Sequence, residues 1–171
     1  MMMKQLKTLL IAAILFVGAS HTANAQAKIA HIDVSDLMSK YPAMLNADKQ
    51  LETVGKTYDT QYKGLVDEYQ AKLKKYEAES ATVGDKVNEE RTVEVQALQK
   101  RIVDYRDNAQ KELQQKEMDL KKPIVEKVRL AIQKVAKAKG YQYVLDASTG
   151  GGLLLADGPN LLDDVKKELG F

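Results

Sequence analysis

The chain has 171 residues, 26 of them basic and 24 acidic, with two histidines and no cysteine. No disulfide framework can hold it, so stability has to come from helix packing and association. The charge balance lacks the basic excess that marks a nucleic-acid partner, and none is expected.

Residues 1–25 read as a cleaved signal peptide. Lys4 and Lys7 form a basic start, Leu9 to Val17 is an apolar run, and Ala23-Asn24-Ala25 has the small-x-small form that precedes cleavage. The run is far short of the ~20 apolar residues that cross a bilayer. Cleavage after Ala25 takes two of the 26 basic residues with it, leaving 24 against 24 acidic. The mature chain is then close to neutral and is expected outside the cytoplasm, in the periplasm.

Lys28-Ile29-Ala30-His31-Ile32-Asp33 alternates as a short strand, with Ala30 and Ile32 on one face and Ile29 and His31 on the other. Asp33 can cap a short helix through Met38, and Tyr41-Pro42 interrupts it, because the residue before a proline is pushed out of the helical region. From Ala43 to about Thr82 the pattern is helical. Leu51, Val54, Tyr58, Tyr62, Leu65, Tyr69, Leu73 and Tyr76 recur with an eleven-residue period. That period, about 3.67 residues per turn, predicts a nearly straight or slightly right-handed helix. Gly55 and Gly64 each weaken it by up to ~1 kcal/mol relative to alanine. Gly84-Asp85 supplies a turn, and Val87, Val95, Leu98, Ile102, Tyr105, Ala109 and Leu113 make the return helix. Pro123 interrupts that pattern and predicts a kink or break. A denser apolar face follows from Ile124 to Ala136, closed by Gly140 as a left-handed cap. Tyr141–Asp146 and Leu153–Ala156 read as two further strands. Asn160 then caps a final helix ending near Leu169-Gly170.

The fold expected is α+β and mostly helical. A small β hub of about three short strands per chain carries a long antiparallel helical hairpin. Residues 26–42 and 123–171 form the β-containing oligomerisation body, and residues 43–122 form the arm. The ends look too small to make a core within one chain, so a trimer is expected. The oligomerisation candidates are Ile29, Ile32, Tyr143, Val144, Leu145 and Leu154.

Nothing in the chain carries covalent chemistry. The mature chain has one histidine, His31, and a metal site needs three or four ligands. Gly150-Gly151-Gly152 lacks the spaced glycine and Lys-Ser/Thr of a phosphate loop. Glu89-Glu90 and Asp163-Asp164 are adjacent helix residues, which do not face each other. Lys72, Lys74 and Lys75 are balanced by Asp67, Glu68, Glu77 and Glu79 as a solvated face. The chain is read as no enzyme, with no cofactor and no metal. Tyr58, Tyr62, Tyr69 and Tyr76 on one helical stripe, and Tyr105 on the return helix, are the candidates for contact with other chains. Tyrosine offers apolar area with a polar tip and suits varied, weak contacts.

The order of these parts resembles the Skp/OmpH family of periplasmic chaperones. The specific residues are Lys28–Asp33, Gly140-Tyr141-Gln142-Tyr143-Val144-Leu145-Asp146 and Leu153-Leu154-Leu155-Ala156. The resemblance implies a homotrimer whose three hairpins enclose a cavity. In it, unfolded outer-membrane β-barrel proteins would be held without ATP. Asn160-Leu161-Leu162 stands where the family often has Asp-Ile-Thr, which changes a cap and preserves the helix. Lipopolysaccharide or anionic-membrane contact is not carried over, because the mature chain is neutral where well-known members are strongly basic. The competing reading is a trimeric structural or adaptor protein of the cell envelope, with the arms as spacers.

Overall fold

The computed structural model describes residues 27–171, and the signal segment expected at 1–25 lies outside the described residues. In chain order the elements are β1 (Ile29–Ile32), α1 (Val34–Lys40), α2 (Pro42–Glu79), α3 (Asp85–Ala138), β2 (Tyr143–Asp146) and α4 (Leu162–Leu169).

The local sequence accounts for each boundary. Asp33 is extended and its Oδ1 accepts from the Asp36 N–H at 2.8 Å, which caps α1. Tyr41, with ψ 119°, ends α1, and Pro42 opens α2 at the position where a missing N–H costs nothing. α2 runs 38 residues, about 57 Å at 1.5 Å per residue. Gly84 starts α3, and the Asn88 side-chain amide donates to the Ser80 carbonyl at 2.9 Å, tying the turn shut. α3 runs 54 residues without a break. Of the kink or break expected at Pro123, the break is corrected: Pro123 lies inside one continuous helix. Removing one donor to Asp119 is outweighed by long hydrogen-bonded ladders on both sides.

β1 and β2 pair in parallel, with Ile29 opposite Tyr143 and Ile32 opposite Asp146. A parallel pair needs a crossover, and here the entire hairpin is that crossover. The Gln142 N–H donates to the Lys28 carbonyl and the Ala147 N–H to the Ile32 carbonyl, both at 2.9 Å, so the ladder is closed at each end. Among the described residues there are two strands, not three. Leu153–Ala156 is irregular. Instead, the far edge of β1 is met by a single bridge from His31 to Asn160, with the His31 N–H donating to Pro159 and the Leu161 N–H to His31. Asn160 does serve α4, but from one residue before the N-cap: its Oδ1 accepts from the Leu162 N–H at 2.9 Å.

The ends do make a core within one chain, contrary to expectation. Ala30 and Ile32 from β1, Leu37 from α1, Met44 from α2, Val128, Ala131, Val135 and Ala136 from α3, and Leu161 and Val165 beside and within α4 form one buried cluster. The dense apolar face after Pro123 supplies four of those residues, as its periodicity predicted. Full burial of the larger of these, Ile32, Leu37, Leu161 and Val165, contributes about 1.5–3 kcal/mol each. The body is thus defined by α3's last turns closing over β1 with α4 against them.

Candidate functional site

Two features could carry function: the seam of the hairpin, and the outer face of the sheet. The seam is thin. Only Leu65 and Leu98 are buried along the distal arm, at 9% and 8% exposure. Polar pairs do much of the rest and follow an antiparallel register from body to tip. Lys121 meets Asp48 at 3.0 Å, Tyr58 donates to Glu112 at 2.7 Å, Tyr105 donates to Gln61 at 2.6 Å, and Arg91 meets Glu79 at 2.5 Å. Between these, Glu94 accepts from Lys72 and from the Tyr76 hydroxyl. These two hydrogen bonds, led by the one from Lys72, hold the Glu94 carboxyl below the usual carboxylate range. Hydrogen bonding to Glu112 pushes the Tyr58 phenol up, and Glu94 does the same to Tyr76.

The five candidate tyrosines divide accordingly. Tyr58 and Tyr105 form an edge-to-face pair with centroids 6.4 Å apart. Tyr76 lies under the Arg91 guanidinium, 4.5 Å from its carbon. Tyr69 is half-buried, and Tyr62 is exposed. Three of the five, Tyr58, Tyr76 and Tyr105, thus bond across the seam, and Tyr62 is the most exposed of the set. Tyr58, Tyr62 and Tyr105 also line one shallow groove together with Gly55, Asp59, Arg106 and Ala109. Sequence reasoning missed Glu94, Glu112 and Gln61 as tyrosine partners. Their near-equal distances from Gly84, opposite Tyr76, Tyr58 and Tyr105, were the signal that could have found them.

At the sheet, the oligomerisation candidates separate into two groups. Ile29, Tyr143 and Leu145 are exposed at 48%, 58% and 41% on the face turned from the core. Leu154 is fully exposed and Leu155 nearly so. Ile32 is buried in the chain's own core, and Val144 packs against it half-buried. His31 is buried beneath Gly158–Asn160 and satisfies its backbone there, as a packing residue does. The outer edge of β2 has no neighbouring strand among the described residues. No group of three or more metal-ligating side chains is found among the described residues.

Three comparisons bear on this arrangement. Residues 28–169 match the family described as Outer membrane protein (OmpH-like). The chain is 28% identical over 169 residues to the Chaperone protein Skp of Photorhabdus luminescens, covering 96% of this chain and 99% of that one. It is 27% identical over 147 residues to the Chaperone protein Skp of Yersinia enterocolitica, covering 84% and 88%. The crystal structure of an OmpH-like protein from Caulobacter crescentus superposes with a TM-score of 0.74 at 17% identity, covering 85% of each chain. That last likeness establishes a shared fold of small body and long hairpin.

Proposed function

The chain belongs to the OmpH-like family, whose members are chaperones and not enzymes, and on that premise we propose that it is a periplasmic holdase. It keeps unfolded outer-membrane β-barrel proteins soluble, without ATP, in a cavity walled by the arms of a homotrimer. The observation that carries this reading is the shape of the burial. One chain closes its core around the roots of the hairpin, yet leaves an apolar sheet face uncovered and sends two long helices beyond the body.

Ile29, Tyr143 and Leu145 are exposed on one apolar sheet face beside the open edge of β2, and Leu154 is exposed in the segment that follows, so further copies of this chain are the fitting cover. The arms suit weak contact with many segments. Their exposed surface mixes charges of both signs with partly exposed tyrosines and scattered Leu73, Val93, Val103 and Met118. An unfolded barrel strand alternates apolar and polar residues, and such a surface can meet both. The decisive experiment is suppression of aggregation of an unfolded β-barrel by the mature protein with no nucleotide present. Protection at about one assembly per client supports the reading. Aggregation at the rate of the client alone overturns it.

A further inference from the structure

α4 packs on the last turns of α3, where that leg of the hairpin meets the body. Glu168 pairs with Lys134 of α3 at 2.6 Å, and Asp164 pairs with Lys139 just beyond α3 at 2.7 Å. Val165 and Leu161 enter the core that also holds Met44 of α2 and Val128 and Val135 of α3. After α4 the chain folds back. Gly170 takes φ 87°, which a side chain would resist, and the N–H groups of Gly170 and Phe171 donate to the Lys166 carbonyl at 2.9 and 3.1 Å. That reversal lays the Phe171 ring on Tyr41, with centroids 5.0 Å apart and planes 29° apart.

Tyr41 is the junction from which α2 departs. Its extended backbone before Pro42 sets the direction of the first turn. Tyr41 is only 5% exposed, so Phe171 helps seal a buried contact, whereas the two ion pairs are largely solvent-accessible and hold weakly. We infer that Phe171 is a positioning residue for the arm: stacked on Tyr41, it fixes the angle at which the hairpin leaves the body. The consequence for cavity width rests on the holdase reading; the angle itself does not. The lever is long. Lys75 lies about 50 Å along α2 from Tyr41, so a swing of about 10° at the junction moves it about 9 Å.

The chain has no cysteine, so spin labels on Ser35→Cys in the body and Lys75→Cys on the arm report without background. Both positions are exposed. The labelled full-length chain is diluted into unlabelled chain and the interspin distance distribution is measured by pulsed electron resonance. Phe171→Ala should keep the helicity and solution mass of the parent while the distribution widens by several Å, in proportion to the lever. A distribution as narrow as the parent's overturns the inference. If Phe171→Ala fails to fold, Phe171→Leu, which keeps an apolar contact without the ring, decides between the same two outcomes. Client protection is assayed separately. A widened distribution in a protein whose parent protects no client leaves Phe171 its role and removes the holdase reading alone.

Discussion

Glu94 accepts from two side chains of the facing helix at once, Lys72 and Tyr76. Its carboxyl sits below its ordinary value of 4.5, chiefly through the Lys72 and Tyr76 hydrogen bonds, with Arg91 adding to the attraction. A depressed acid contributes stability that is complete above the ordinary value and is lost as pH falls through the lower native value. The distal arm should therefore loosen below pH 4.5, with faster hydrogen exchange in residues 73–96 and no matching change in the body. Glu94→Gln should reproduce part of that loosening at neutral pH and flatten its acid dependence. A variant arm that exchanges like the parent at neutral pH would show that Leu65 and Leu98 hold the seam unaided. The stripe of tyrosines was legible in the sequence because aromatic side chains at three- and four-residue spacing share a helix face. Their partners were harder to read, because Glu94 and Glu112 look like any other solvated acids until the hairpin register is fixed.

At the scale of elements, α3 departs most from expectation. Pro123 is exposed and interior to a 54-residue helix. The proline signal was correct as local chemistry, since one ladder bond to Asp119 is lost, but a local cost of about 3 kcal/mol does not stop a helix anchored by packing on one side. Pro123→Ala restores that bond and buries nothing new, so it should raise stability by up to about 3 kcal/mol. Thermal unfolding by circular dichroism checks it, and an unchanged or lowered midpoint would show that the helix uses a bend there. Hydrogen exchange should also be slow in residues 124–138, which supply the core, and fast near Gly84, where burial is sparse. The strand at Leu153–Ala156 was misread for a different reason. Three leucines in a row have the composition of a buried strand, but Leu154 and Leu155 stay exposed and join neither edge of the sheet. In one chain β1's free side is met at His31 by Pro159 and Leu161. β1, β2, α1 and the Tyr41-Pro42 junction were legible because alternation, capping and proline geometry are all local. The parallel register was not, because it depends on how α3 returns.

For the whole molecule, the question is whether body and arm are separable. Leu145 and Val144 test the body first. Leu145 points outward at 41% exposure, whereas Val144 packs against the core. Leu145→Asp should leave the chain folded and reduce the mass measured by light scattering from three chains to one. Val144→Asp should instead unfold the chain, by burying an unpaired carboxylate. A parent protein that is already a monomer at micromolar concentration would sink the trimer reading. The arm is then tested by shortening it. Glu68 on α2 stands across the seam from Arg101 on α3, with side-chain atoms 3.8 Å apart. Residues 69–101 can therefore be replaced by a short glycine turn that joins two ends already side by side. The shortened chain keeps the core, the exposed face of the sheet and the Tyr58–Tyr105 pair, so it should fold and assemble as the parent does. It should lose protection of an unfolded β-barrel, because the cavity walls would no longer reach around a chain of that size. If the shortened assembly protects as well as the full one, clients are held by the body or the arm roots, and the cavity mechanism is wrong. If even the full-length assembly protects nothing while its arms hold a fixed partner, the long continuous α3 is better understood as a spacer.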